Sequence, residues 1–229
     1  MNNLKIILFA NWGLGNLALE TISKLNNVEI LAVFTQYDNY STDKYFNVVY
    51  QKAKELDYKI FNTYNKKSKE ISNEAIKLID DNKNIIGLSL SFDKIFKKDL
   101  IERINIINLH PSYLPKYRGP SPILWAILYN ENEIGLTLHF VDDGIDSGNI
   151  IKQTLCPIDY QLSFDEITDI ISYRANIFLL EYLENIQFPI KSIKQGLQEK
   201  YYPRLQLNET ERKLPLYELK NILLNKIIN

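Results

Sequence analysis

At 229 residues, with 45% hydrophobic and 24% charged residues, the chain has the composition of one globular domain, or one domain with a small appendage. Lys+Arg 27 against Asp+Glu 28 gives a net charge of -1, which excludes bulk attraction to nucleic acid or an anionic membrane. The one cysteine, Cys156, excludes an internal disulfide framework and fits a reducing compartment, and no segment approaches the roughly 20 apolar residues of a spanning helix.

The opening MNNLKIILFANWGLG carries a single Lys and a short apolar run, which reads as a first strand, Leu4 to Ala10, and not as a signal peptide. A cytoplasmic protein is expected. A helix from about Leu14 to Leu25 follows, with Leu14, Leu17, Ala18 and Ile22 on one face. Val28 to Thr35 is a second apolar strand, followed by a helix over Lys44 to Leu56 and a short strand at Tyr58 to Phe61. A helix around Ser68 to Asp80 leads to the strand Asn84 to Ser91. Continuous apolar strands separated by amphipathic helices predict an α/β fold with a mostly parallel sheet covered on both faces.

A short strand, Asn105 to Asn108, feeds HPSYLPKYRGPSP, where four of the eight prolines impose an extended, stiff loop. After a helix from Ser121 to Tyr129, strands at Gly135 to Val141 and Asn149 to Leu155 flank the loop Asp142 to Gly148. The longest helix spans Phe164 to Asn185, with Ser163 as N-cap and Glu166 completing a capping box. The pattern changes after Pro189. A strand-like stretch, Tyr201 to Leu207, precedes a helix begun by Pro215, with Leu216, Leu219, Ile222, Leu223 and Ile227 at helical spacing. The expected division is a main domain over 1–188 and an extension over 189–229, a hairpin plus a helix.

Both histidines and four of the eight glycines lie between residues 108 and 148. Asn108 and His110 are two apart at a strand end, so their side chains point the same way. Pro111 then places them at the carboxyl edge of the sheet, where open parallel sheets bind ligands. The Gly-rich turn that follows brings Asp146 to the same edge. An imidazole, a carboxylate and an amide together supply a proton acceptor, an orienting anion and an oxyanion donor, which suits attack of an amine on a carbonyl. On spacing alone a structural histidine and an Asp/Gly turn are the commoner reading. His139 alternates with Thr137 and Val141, and reads as a core or edge histidine.

NLHPSYLPKYRGPSP followed by GLTLHFVDDGIDSG resembles the 10-formyltetrahydrofolate-dependent formyltransferases, most closely the nucleotide-sugar N-formyltransferases. The family motif falls on Asn108, His110 and Asp146, with Tyr113 where a Leu is usual. The resemblance implies a Rossmann-like formyltransferase fold and a formyl donor, 10-formyltetrahydrofolate. It implies His110 as proton acceptor, Asp146 as its charge partner and Asn108 as oxyanion donor. Gly87-Leu-Ser-Leu-Ser-Phe-Asp resembles the folate pocket, so Leu90 and Phe92, with the backbone of Asp143 and Gly144, are expected to line it. A plain core aromatic is an equal reading of Phe92.

The short remainder after the long helix and the absence of basic excess disfavour the methionyl-tRNA branch. Glycinamide ribonucleotide transformylase is closer in size, but Arg118-Gly-Pro-Ser-Pro122 and Tyr201-Tyr-Pro-Arg-Leu205 resemble the sugar branch. The implied acceptor is a nucleotide-linked amino sugar, such as a dTDP-4-amino-4,6-dideoxyhexose, formylated for surface-polysaccharide or O-antigen synthesis. Arg118 is a candidate for the diphosphate, or a solvent-exposed loop arginine. Tyr202 is a candidate to stack on the base, or a core aromatic.

A rival class rests on Gly13-Leu-Gly15-Asn-Leu-Ala18, a G-x-G-x-x-A dinucleotide fingerprint with Asp38 near the ribose-acid distance: an NAD-dependent oxidoreductase. Under the formyltransferase reading, Gly13 and its helix N-terminus face a substrate phosphate. No metal spacing links His110, His139 and Cys156. The stripe Leu219, Ile222, Leu223 and Ile227 packs on its own domain or pairs two subunits, and the sugar-enzyme resemblance implies a homodimer.

Overall fold

The computed structural model describes residues 3–43, 45–79, 84–196 and 200–228. The elements run β1 (Leu4–Ala10), α1 (Trp12–Ile22), β2 (Val28–Thr35), α2 (Val48–Glu55), β3 (Ile60–Asn62), α3 (Ser68–Ile76) and β4 (Ile85–Leu90). They continue with α4 (Lys98–Ile101), β5 (Asn105–His110), α5 (Pro122–Leu128), β6 (Glu133–Phe140) and β7 (Ile150–Pro157). The chain ends in α6 (Phe164–Glu184), α7 (Glu209–Arg212) and α8 (Leu216–Ile228).

One seven-stranded sheet has the order β3-β2-β1-β4-β5-β6-β7. The strands from β3 to β5 pair in parallel, while β6 pairs antiparallel with both β5 and β7. The apolar run of β1 explains its central place: Leu4, Ile6 and Leu8 pack into one core cluster and Ile7 and Phe9 into the other, on opposite faces. The first cluster also takes Leu19 of α1, Val49 of α2, Trp125 of α5 and Leu179 of α6. The second is closed by Ile71 of α3, Leu100 of α4 and the half-buried Phe92 and Phe96.

The long helix begins as expected. Ser163 Oγ accepts the Glu166 N–H at 3.3 Å, and Glu166 Oε2 accepts the Ser163 N–H at 2.8 Å. The second helix starts later than its periodicity suggests, because Asn47 closes the preceding loop. Its amide accepts the Asp38 N–H at 3.0 Å and donates to the Asp38 carbonyl at 2.8 Å. The short helix α4 escaped the pattern, since four residues carry too little periodicity to register.

The extension departs from expectation. No hairpin forms among its described residues. Instead Ile193 bridges to Ile150, and Tyr201 bridges to Arg118. The following segment runs extended along the proline-rich loop: Trp125 Nε1 donates to the Pro203 carbonyl at 2.8 Å, and the Leu205 N–H donates to Ser121 Oγ at 3.0 Å. Partners from the main domain are nearer than a second tail strand, and they satisfy its backbone. Leu216, Leu219 and Leu223 are wholly buried in the first core cluster. That part of the stripe is spent on its own domain and is not free to pair subunits; Ile227 stays exposed.

Candidate active site

The register decides which polar side chains meet. Asn108 of β5 lies opposite His139 of β6 and beside Ser89 of β4, while His110 lies opposite Thr137. Cross-strand partners share a face. Asn108, His110 and His139 therefore stand on one face, the face on which Ile106 joins the second core cluster. The loop between β6 and β7 folds back over that face, so Asp146 arrives beside the histidines and not at the strand ends alone. One carboxylate oxygen, Oδ2, is 3.7 Å from His110 Nδ1, and the other, Oδ1, is 3.7 Å from His139 Nε2. Asp146 adopts φ +49, a costly conformation for a residue with a Cβ.

The proline-rich loop does more than end the strand. It passes over Gly135, where an added Cβ would lie 2.1 Å from the Tyr113 nitrogen. Thr137 Oγ donates to the Ser112 carbonyl at 2.6 Å and accepts the Leu114 N–H at 3.2 Å. Thus held, the loop returns two main-chain groups to the site. The Tyr117 carbonyl accepts the His110 Nε2–H at 3.1 Å, and the Gly119 N–H donates to Asp146 Oδ2 at 2.9 Å. The Tyr117 hydroxyl is anchored by donation to Glu131 at 2.7 Å. Burial first, then this hydrogen bond, holds the Tyr117 hydroxyl protonated far above the usual range.

These contacts fix the proton positions. Since a carbonyl only accepts, His110 carries its proton on Nε2, leaving the Nδ1 lone pair toward Asp146. His139 Nδ1–H donates to the Phe140 carbonyl at 2.8 Å, so its Nε2 accepts from Asn108 Nδ2 at 3.1 Å. The Asn108 amide is thereby oriented, with its second N–H left for another acceptor. His139 is the site residue that sequence reasoning missed. Two polar residues on the same side of an otherwise apolar strand, Thr137 and His139, were the available signal.

Burial, and then the neighbouring His110, push His139 down to about 4. A group depressed on folding is protonated more readily in the unfolded chain, so its neutral burial favours the fold above pH ~6.5 and is lost as pH falls toward 4. By pH 5 the difference is about 2 kcal/mol. Urea unfolding at pH 7 and pH 5 should show the wild-type chain losing that much more than His139→Gln, whose amide oxygen still accepts from Asn108. Equal losses would show that His139 is not held neutral.

The remaining expected site residues are placed differently. Leu90 is fully buried in the first core cluster, so only its main chain reaches the edge, where its carbonyl accepts the Asn11 N–H at 3.1 Å. Phe92 packs its ring 5.4 Å from Phe9 and 5.5 Å from Phe96 while staying half-exposed. Asp143 and Gly144 are exposed at the tip of the loop, which is braced where Asp142 Oδ1 accepts the Gly144 N–H and the Ser147 hydroxyl. Phe92, Phe96 and Val141 share the second cluster, which sets the loop after β4 beside the loop after β6.

Arg118 does not stand free for a diphosphate. It is only 4% exposed and its guanidinium donates to Gln195 Oε1. Tyr202 likewise packs in an aromatic group, 5.1 Å from Tyr117 and 5.2 Å from Trp125, and is not a free stacking platform. Gly13 is exposed near the start of α1 with open space where a Cβ would stand. The dinucleotide fingerprint has a packing cause: a Cβ on Gly15 would lie 2.9 Å from the Ala10 Cβ. Asp38 spends its carboxylate on the Tyr40 N–H. Among the described residues, no helix is long and apolar enough to cross a membrane, and no cluster of three or more His, Cys, Asp or Glu could hold a metal ion.

Known proteins share sequence and fold with this chain. Residues 5–183 match the model of the formyl transferase family. A methionyl-tRNA formyltransferase of Borrelia garinii subsp. bavariensis is 34% identical over 181 residues, covering 76% of this chain and 56% of that protein. The bifunctional polymyxin resistance protein ArnA of Wigglesworthia glossinidia brevipalpis is 35% identical over 154 residues, covering 66% of this chain and 23% of that protein. The chain thus spans little more than half of one relative and under a quarter of the other. Among solved structures, the N-formyltransferase of Helicobacter canadensis, in complex with folinic acid and dTDP-3-aminofucose, superposes with a TM-score of 0.65 at 27% identity. That match covers 90% of this chain and 72% of that one. With a seven-stranded, mostly parallel sheet and the Asn108, His110 and Asp146 positions on one face, the chain belongs to the formyl transferase family.

Proposed function

We propose that the chain transfers a formyl group from 10-formyltetrahydrofolate to the amine of a nucleotide-linked amino sugar. The observation that carries this reading is His110, buried between the Asp146 carboxylate and the Tyr117 carbonyl. Its ring can take a proton on Nδ1 without moving, because the cation then faces two acceptors already in place. The folate, when bound, supplies an activated formyl carbon. Phe92 offers it a half-exposed ring, and Asp143 and Gly144 are exposed on the neighbouring loop. His110 accepts a proton from the attacking amine and returns it to the leaving nitrogen. Asn108, oriented by His139, donates its remaining N–H to the formyl oxygen as charge develops there. Asp146 keeps its charge beside the imidazolium.

The sugar acceptor is supported by the solved neighbour that holds both folinic acid and a dTDP-amino sugar. A dTDP-4-amino-4,6-dideoxyhexose used in surface-polysaccharide or O-antigen synthesis is the specific candidate. A second reading, methionyl-tRNA as acceptor, is favoured by the identity to methionyl-tRNA formyltransferases.

An acceptor screen with 10-formyltetrahydrofolate, read by mass spectrometry, separates the two. It compares dTDP-, UDP- and GDP-linked amino sugars with glycinamide ribonucleotide and methionyl-tRNA. Gain of one formyl on a sugar nucleotide is expected, and formylation of methionyl-tRNA alone assigns the second reading. In parallel, 5-formyltetrahydrofolate at a hundredfold its Kd should stabilise the fold by about 2.7 kcal/mol, whereas NAD should not. Stabilisation by NAD and not by the folate would overturn the donor assignment.

A further inference from the structure

We infer that Gln195 and Arg118 are positioning residues that set the place of Asp146 and hence its action on His110. The inference rests on the formyl-transfer reading only for its rate measurement.

Gln195 belongs to the extension, far from the motif in sequence, yet it is 8% exposed and uses both ends of its amide on the catalytic loop. Its Nε2 donates to the Asp146 carbonyl at 3.0 Å and to the Gly148 carbonyl at 2.6 Å. Its Oε1 accepts Nε–H at 3.1 Å and an Nη2–H from Arg118, and Arg118 is itself 4% exposed. The amide thus ties two loops of the site together. One carries Asp146. The other carries Arg118, next to Gly119, whose N–H binds the Asp146 carboxylate at 2.9 Å.

The rest of the extension fastens the same junction. Ile193 exchanges two main-chain hydrogen bonds with Ile150 at 2.8 Å each, and the Tyr202 N–H donates to the Arg118 carbonyl at 2.9 Å. Such bracing answers a physical need. Asp146 sits at φ +49, a conformation that surrounding structure must enforce. Its carboxylate lies 3.7 Å from both histidines, so a small displacement changes which of them it serves.

Burying Arg118 against a neutral amide, with no ion pair to a carboxylate among the described residues, makes sense when Gln is needed to donate as well as accept. A glutamate would bind the guanidinium more strongly but could not donate to the two carbonyls. Gln195→Glu is therefore the informative variant. It retains the contact with Arg118 as an ion pair, and it replaces both donations to the loop with a carboxylate oxygen facing two carbonyls.

The test uses the full chain. Turnover with the accepted amine is measured for wild type, Gln195→Glu and Gln195→Ala, alone and in an Asp146→Asn background. Native-state hydrogen exchange at the Gly119 amide is followed alongside. We expect kcat to fall roughly 10- to 100-fold in both single variants with little change in either KM, as for a misplaced catalytic group. In the Asp146→Asn background the same changes should cost less than about twofold, because the residues act through that carboxylate. Gly119 should lose its protection in Gln195→Glu while the β5 and β6 amides keep theirs. Wild-type kcat in Gln195→Glu, costs that multiply with Asp146→Asn, or unchanged Gly119 exchange would each overturn the inference. An inactive wild type would instead refute the formyl-transfer reading, and the exchange measurement would still decide the clamp.

Discussion

His110→Ala should lower kcat by roughly a thousandfold, and Asp146→Asn by roughly a hundredfold, with both proteins folded. His110 is 5% exposed, and its Nδ1 is the lone pair turned toward Asp146. Removing the ring strands the Tyr117 carbonyl without its donor, a cost to the fold of about 1–3 kcal/mol. That is within the stability of an ordinary domain. Asp146→Asn is the sharper variant. An amide oxygen still accepts the Gly119 N–H, so the loop keeps its contact while the charge disappears. The loss then measures the replacement of the Oδ1 acceptor and its charge by an amide N–H beside the histidines. Single-turnover rates at saturating donor, with thermal unfolding of each variant, provide the check. A His110→Ala chain that turns over near the wild-type rate would eliminate the proton-transfer role.

The sheet and its helices were legible because long apolar strands and amphipathic helices leave periodic marks. Asn108, His110 and Asp146 were legible through two motif blocks, which the β5–β6 pairing and the returning loop bring together. What stayed hidden depends on contacts distant in sequence. His139 looked like any strand histidine until the register set it opposite Asn108. Arg118 carries a charge that suggests solvent or phosphate, and nothing local reveals that Gln195 buries it. The extension looked like a separate hairpin because alternation in Tyr201 to Leu207 does not say which backbone will satisfy it. The loop 118–125 supplied the partners. Propensity selects an extended chain here, and tertiary context selects its neighbour.

Gly119→Ala is the substitution outside the charged groups from which the second large effect is expected. Gly119 has φ +119, a region closed to residues with a Cβ, which costs about 1–3 kcal/mol before any contact is considered. Its Cβ would also meet the Tyr202 carbonyl oxygen at 2.3 Å and the Tyr201 ring at 3.0 Å. The nearer obstacle is backbone, held in place by the Tyr202 N–H on the Arg118 carbonyl, so it cannot swing aside as a side chain would. Either the extension lifts from the loop or the Gly119 amide turns away from Asp146. The first exposes the contacts of Trp125 with Pro203, and the second releases the Asp146 carboxylate. Urea unfolding should therefore show a loss of about 3 kcal/mol or more. Turnover of the folded fraction should fall roughly 10- to 100-fold. Gly13→Ala is the matching stability control: near the start of α1, with nothing within 4 Å of its Cβ position, it should be neutral or stabilising by up to about 1 kcal/mol. Should Gly119→Ala unfold at the wild-type midpoint and keep its rate, the extension would not be coupled to the site through this loop. The bracing of Asp146 would then have to come from the loop between β6 and β7 itself.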